Sequence, residues 1–342
     1  MIDAAIVGLG RWGKSIVNAV QGKSQRLRFV RGVSKEPELV RDFAAQHRFA
    51  LSTELADAIR DPAVKAVVLA TPHSLHVEQV SAVAKAGKPV WCEKPLALRR
   101  DEAARAIAAC QAAGVPLAVG QNKRFFPAML ELARLVAAGD IGEVLHIEGH
   151  FSNEHSTRVV AGGWRDDPAE SPGAGMTGAG LHVLDSMINL AGPARQVHAK
   201  LFAAKPPPDP RDAVAVLIEF ASGATGTMAT VRAAPMYWHF HVFGSKGRAE
   251  VNGETTLTLA RIGEAPQTRE LAPADSLLLL AEAFADAVEG RRDFPIAPQQ
   301  MLDTIGAFEA VIASLNASGP VTIGRQDAPQ QSLHRNASHA VH

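Results

Sequence analysis

The sequence predicts a doubly wound parallel α/β sheet, followed by an α+β domain with an open, mostly antiparallel sheet. Three observations predict it. Short apolar runs alternate with helix-length segments through the first 120 residues, the grammar of βαβ units. The apolar run Ala4–Val7 leads directly into Gly8-Leu-Gly-Arg-Trp-Gly13 and a helical stretch. After Gly120 the pattern changes to period-two alternation, which reads as antiparallel strands. The expected limits are 1–122 for the first domain, 123–325 for the second, and a flexible polar tail over 326–342.

Ala4–Val7 is short and apolar throughout, as a strand covered on both faces should be. The helix after the glycine turn runs to about Gln21. Leu27–Val33, Ala66–Ala70, Lys88–Trp91 and Leu117–Val119 are the next strands. Between them Glu36–His47, Ser74–Ala86 and Arg99–Ala113 read as helices, with Pro37 tolerated in a first turn. In the second half Pro127–Ala138 is helical. Val144–Ser152, Ala213–Phe220, Gly226–Arg232, Tyr237–Phe243 and Thr255–Leu259 alternate as strands. Pro206–Pro210 and the Gly-rich Gly162–Gly180 read as loops. Two late helices are expected over Asp275–Glu289 and Pro298–Ala317.

Composition removes several function classes. Lys+Arg and Asp+Glu are both 35, so the formal charge is zero, which argues against a basic nucleic-acid binder or a polybasic membrane surface. No run approaches the roughly 18 apolar residues a spanning helix needs. The N-terminus carries no secretory signal pattern, and two cysteines, Cys92 and Cys110, fit a reducing cytoplasm.

Gly8-x-Gly10-x-x-Gly13 stands where a dinucleotide fingerprint requires it, after a strand and opening a helix. Gly8 permits the tight turn, Gly10 lets a pyrophosphate approach, and Gly13 lets helix and strand pack closely. Arg11 and Trp12 lie within the same turn. The bland alternative is a strand–helix turn without a ligand. At the end of the second strand, where an NAD site commonly carries an acid, the sequence has Ser34 and Lys35. A hydroxyl and an ammonium suit a 2′-phosphate, so the expected cofactor is NADP, with NAD possible. Trp91-Cys-Glu-Lys-Pro95 places Glu93 and Lys94 at the carboxyl edge of the parallel sheet, where ligands of such sheets bind.

These pieces, in this order, resemble the Gfo/Idh/MocA oxidoreductase family. The resemblance rests on Gly8–Gly13, Ala70-Thr-Pro-His-Ser-Leu-His76, Glu93-Lys-Pro95, Asn122-Lys-Arg-Phe-Phe-Pro127, Gly139-Asp-Ile-Gly-Glu143, Gly180-Leu-His-Val-Leu-Asp185 and Phe243-Gly-Ser-Lys-Gly247. It implies a Rossmann domain and an NAD(P)-dependent dehydrogenase or reductase acting on cyclic polyols, sugars or dihydrodiol-type alcohols. It implies Lys94 as the catalytic lysine, and His182 as the substrate-facing histidine that helps move the proton. Thr71, Pro72, His76 and Glu93 would line the cofactor. It also implies a homodimer or homotetramer formed through the open sheet.

The chemistry agrees with these residue types. Oxidising an alcohol removes a hydride, which the cofactor takes, and a proton, which the protein must handle. Burial would bring a lysine down toward a useful pKa, and histidine titrates near neutrality. One departure from the family pattern stands out. The acidic residue often found four positions before the histidine is Gly178 here. Lys94 and His182 would act alone, or Asp185, His155 or Tyr237 would substitute, or dehydrogenase activity is weak. A missing acid also enlarges the site and removes a negative charge. Trp164 and Arg165, in the Gly-rich loop, are further substrate candidates, suited to a ring face and a carboxylate. No metal set is expected, because no Cys/His/carboxylate group has zinc spacing. Two other readings stay open: a cofactor-sensing regulator on the same fold, and a hydride-borrowing hydrolase or epimerase.

Overall fold

The computed structural model describes residues 1–154, 159–173, 175–202, 213–232 and 234–324. His155, the Pro206–Pro210 loop and the expected tail lie outside them.

The first sheet is six-stranded and parallel. Its strands are β1 (Ile2–Val7), β2 (Leu27–Val33), β3 (Ala50–Ser52), β4 (Ala66–Leu69), β5 (Val90–Cys92) and β6 (Leu117–Val119), in the spatial order β3-β2-β1-β4-β5-β6. The order reverses between β1 and β4, which opens a crevice at their carboxyl ends. Every residue of β4 and β5 is buried, because helices cover both faces. The helices are α1 (Arg11–Val20), α2 (Arg41–His47), α3 (Leu55–Arg60), α4 (His76–Lys85) and α5 (Arg100–Ala113). The stretch expected as one helix over Glu36–His47 divides into a 3-10 turn, Pro37–Val40, and α2.

The second sheet has nine strands among the described residues. After α6 (Pro127–Ala137) come β7 (Val144–Ser152), α7 (Leu181–Ala191), β8 (Ala194–Phe202), β9 (Ala213–Phe220), β10 (Thr225–Val231), β11 (Tyr237–Gly244), β12 (Gly247–Asn252), β13 (Thr256–Arg261) and β14 (Gln267–Glu270). The described residues close with α8 (Ser276–Val288), α9 (Pro298–Ala317) and β15 (Val321–Thr322). The spatial order is β14-β13-β12-β11-β7-β10-β9-β8-β15, antiparallel except between β7 and β10. Ser245 and Lys246 form the two-residue hairpin loop between β11 and β12.

Strict alternation gives this sheet a covered face and an open one. In β11, Trp238, Phe240 and Val242 enter the core, while Tyr237, His239 and His241 point to the other side. Helices α6, α7 and α9 cover the inner face through residues such as Leu132, Leu184 and Phe308.

Helix α8 returns to the first domain. Asp275 caps it, accepting from the backbone N–H groups of Leu277 and Leu278 at 3.0 and 3.3 Å, which stabilises such a helix by about 1 kcal/mol. Its apolar face, Leu280 and Phe284 included, joins the core of the parallel sheet, with Phe284 6.3 Å from Trp91 between ring centroids. The two layers are therefore joined by packed helices as well as by the chain crossing at 120–127.

Candidate active site

The carboxyl edge of the parallel sheet and the inner face of the second sheet enclose a cavity of about 660 Å³. Arg11, Trp12 and Ser15, from the start of α1, line one end of it, next to the glycine turn. Gly8 has φ +91°, a conformation that side-chain-bearing residues rarely adopt. A Cβ on Gly13 would collide with the carbonyl oxygen of Gly8, whereas a Cβ on Gly10 would meet open space. Helix α1 starts there with no side-chain cap, so its first N–H groups face the opening. An uncapped helix start beside an open glycine fits a dinucleotide pyrophosphate. Arg11 and Trp12 line the cavity beside it.

Ser34 and Lys35 follow β2 next to this turn, where Gly8 N–H donates to Val33 O at 2.9 Å. They stand outside the cavity. The Ser34 hydroxyl accepts from Glu36 N–H at 3.3 Å, and Lys35, 78% exposed, pairs with Glu54 at 2.9 Å. Thr71 lines the cavity and donates to Gln79 at 2.6 Å. Pro72 leads into a 3-10 turn, His73–Leu75. His76 is fully buried beneath it, its ring nitrogens 2.7 Å from Pro95 O and 3.0 Å from Thr71 O. It therefore ties two cavity-forming turns together and does not line the cavity itself.

Glu93 and Lys94 emerge from β5, and the Lys94–Pro95 bond is cis. Burial drives the Glu93 carboxyl upward, against the Lys94 charge and the neighbouring Trp12 and Trp91 indoles. Burial drives the Lys94 ammonium downward, opposed by Glu93 and reinforced by the Arg165 and Lys123 charges. The expected Gly162–Gly180 loop closes in a π-helical turn, Met176–Gly180, that runs into α7. Lys94 Nζ donates to the Thr177 and Gly178 carbonyls of that turn at 3.1 and 2.8 Å.

His182, on the first turn of α7, lines the same cavity and is almost fully buried. Its Nδ1 has no hydrogen-bond partner. Burial, then the Lys94 and Lys123 charges, hold its pKa well below the ordinary histidine value, so the ring is neutral. Lys94 and His182 are thus brought together on one cavity. A Cβ on Gly178 would meet nothing within 4 Å, so the missing acid leaves room and no negative charge.

Two substitutes for that acid are corrected by the structure. Asp185 does not reach the cavity. Arg124 engages both its oxygens, at 2.6 and 2.8 Å, and Thr304 approaches one of them at 3.3 Å. Tyr237 lies on the open face of the second sheet, 44% exposed, because strand alternation turns it away from the core. Trp164 and Arg165 both line the cavity, the guanidinium stacked 4.0 Å from the Trp164 ring centroid. Burial and the nearby Arg11 charge lower Arg165 to about 10.

Lys123 and His73 line the cavity without having been among the expected site residues. Lys123 follows β6 in a short 3-10 turn, and that edge position was the available signal. His73 Nδ1 lies 2.6 Å from Glu170 O, and its ring packs edge-on against Trp164 at 5.1 Å. These contacts fasten the 159–173 segment to the first domain. Among the described residues no group of three His, Cys, Asp or Glu is placed to hold a metal ion.

Fold and cleft together define an NAD(P)-binding oxidoreductase scaffold. The family profile described as "Oxidoreductase family, NAD-binding Rossmann fold" matches residues 2–121, and the GFO/IDH/MocA C-terminal domain profile matches residues 129–250. The chain belongs to the Gfo/Idh/MocA family.

An uncharacterized oxidoreductase of Schizosaccharomyces pombe is 32% identical over 171 residues, 49% of this chain and 46% of that protein. The chain therefore spans about half the length of that relative. A D-xylose 1-dehydrogenase (NADP(+)) of Haloferax volcanii is 28% identical over 280 residues, 78% of this chain and 82% of that protein. Among solved structures, levoglucosan dehydrogenase in complex with NADH and levoglucosan superposes with TM-score 0.84 at 21% identity, over 95% of this chain and 100% of that one. That likeness concerns the fold. No helix among the described residues is long and apolar enough to cross a membrane.

Proposed function

We propose that this chain transfers a hydride between a nicotinamide dinucleotide and a cyclic polyol, sugar or dihydrodiol-type alcohol, with Lys94 and His182 handling the hydroxyl proton. The observation that carries this reading is the clamp on Lys94. A neutral amine has two N–H bonds and one lone pair. With both N–H groups directed at the Thr177 and Gly178 carbonyls, the lone pair is left for the cavity. Burial favours that neutral form, as a general base acting near neutral pH needs. The neutral His182 ring lines the same cavity and would relay the proton beside Lys94.

A dinucleotide bound at Gly8–Gly13 supplies the hydride acceptor or donor. Arg11, Trp12 and Thr71 would hold it along the cavity, and Glu93 would sit beneath its nicotinamide end. In this reading NADP is the preferred form: Lys35, exposed and paired with Glu54, would exchange that partner for a 2′-phosphate. NADP then binds more tightly than NAD in a direct comparison of dissociation constants, and a clear NAD preference overturns that choice. A cytoplasmic homodimer or homotetramer agrees with two buried free thiols, Cys92 and Cys110, and with an open sheet face bearing Leu217 and Tyr237.

The test is nicotinamide absorbance at 340 nm with a panel of cyclic alcohols and both dinucleotides. Turnover with at least one cyclic alcohol is expected. Tight dinucleotide binding without turnover across the panel would favour the regulator.

A further inference from the structure

Lys123 is a cation with no carboxylate in contact, in a cavity already rich in positive charge; the exposed Glu254 offsets its charge only from a distance. Its ammonium is half-buried, 4.2 Å from the Phe126 ring centroid and 5.4 Å from that of Phe151. Among the described residues it makes no hydrogen bond and no ion pair. It lines the cavity with Lys94 and the partnerless His182. The carboxylates nearer the cavity are directed elsewhere, and Glu254 makes no hydrogen bond or ion pair with it. Glu93 is packed behind Lys94 against Gly120, Asp185 is held by Arg124, and position 178 is a glycine facing open space. Asp166 lines the cavity from the 159–173 segment and accepts from Gly162 N–H at 3.0 Å. A dinucleotide pyrophosphate would be held at the far end, by the start of α1 and Arg11, and so would leave Lys123 unmatched.

A half-buried ammonium facing a cavity without an acceptor creates a demand for an anion. We infer that the substrate carries a carboxylate, and that Lys123 is the residue that reads it, beside Lys94 and in the space left by Gly178. This rests on the cavity being the substrate site. Its aromatic seat on Phe126 and Phe151 holds the ammonium in place. Burial lowers Lys123 to about 8 against the weaker opposing charge of Glu254, and a carboxylate bound in contact would raise it again.

The experiment compares D-glucuronate, D-glucose and D-glucose 6-phosphate, which share a ring and differ at one position. Binding to the full chain is read by calorimetry and by quenching of Trp12 and Trp164, with and without reduced dinucleotide. The uronate is expected to bind at least about tenfold more tightly than glucose, the scale of a charge-assisted hydrogen bond. Lys123→Gln is expected to cut that preference to within threefold while leaving the dinucleotide dissociation constant unchanged. Gly178→Asp, which the open space accommodates, is expected to reduce or reverse it without touching Lys123. A uronate and glucose bound within threefold of each other overturn the inference, as does tighter binding of the phosphate ester than of the uronate. Lys123→Gln and Gly178→Asp variants that both retain the preference overturn it too. Selective uronate binding without hydride transfer from any panel member would uphold the inference and refute the proposed function. Equal oxidation of neutral and acidic sugars would do the reverse.

Discussion

Removing Arg124 should cost more than any surface charge in the chain, because its pair with Asp185 is buried at both ends. The two side chains are 7% and 2% exposed, and two nitrogens meet two oxygens at 2.6 and 2.8 Å. Arg124 also donates to Asn189 at 2.8 Å. Arg124→Met leaves a carboxylate sealed from water with only the 3.3 Å Thr304 contact. Breaking one side of such a pair costs about 3–5 kcal/mol, while replacing both partners by apolar groups is often close to neutral. At roughly 2–4 °C per kcal/mol for a chain of several hundred residues, the single variant should melt at least about 6 °C lower. Thermal and urea unfolding of Arg124→Met, Asp185→Leu and the double variant would measure this. The double variant should be more stable than the sum of the singles by at least about 2 kcal/mol. Because Asp185 is three residues beyond His182 on α7, the single variants should also lose turnover. A single variant within about 1 kcal/mol of the parent, or strictly additive losses, would refute the argument.

Gly10→Ala and Gly13→Ala should separate binding from stability. The Gly10 position faces open space, so Gly10→Ala should unfold normally yet bind dinucleotide at least about tenfold more weakly, whereas Gly13→Ala meets the Gly8 carbonyl and should lose about 1–3 kcal/mol of stability as well. Equal melting temperatures for the two variants would contradict this. Stability should also fall on mild acidification. Burial lowers His182 and His76, and brings His73 to about 3, so each folded-state pKa lies below the unfolded value near 6.5. Between those values the unfolded chain binds protons that the folded chain does not. The histidine contribution is therefore full above about pH 6.5 and declines below it, by up to about 1.4 kcal/mol per pH unit for each such histidine, offset for one group by Glu93, whose carboxyl is raised to about 7 and gains a proton in the folded chain first. Urea midpoints measured from pH 7 to 5 should drop, and His182→Gln should shallow the slope; a flat profile would count against neutral burial.

Much of the architecture could be read from local pattern, and the exceptions share a cause. Leu27–Val33, Leu117–Val119 and Pro298–Ala317 form where expected because each carries its own periodicity and stop signals. Strands β8, β12 and β14 were not foreseen. β14 is exposed along its whole length, and β12 opens on Gly247 and Arg248, so neither shows a clear apolar alternation. The return of α8 to the first core is a long-range event that no local spacing encodes. The site follows the same rule. Glycine turn, Lys94 and His182 announce themselves through position at a sheet edge or in a motif. Asp185 was misread because spacing along a helix shows which residues share a face, but not that Arg124, 61 positions away, would claim both its oxygens. Tyr237 was misread because strand parity gives two faces without saying which one meets the cleft. Lys123 follows β6 through a short 3-10 turn, and its sequence position alone does not tell that its ammonium enters the cavity.

The most direct test of the central claim is the pH dependence of single-turnover hydride transfer, followed at 340 nm at saturating dinucleotide. In the parent, alcohol oxidation should accelerate as pH rises through the lowered pKa of Lys94, and Lys94→Ala should lose that rise together with about 10²–10⁴ in rate while still binding dinucleotide. A Lys94→Ala variant that turns over at the parental rate with the parental pH profile would contradict the account.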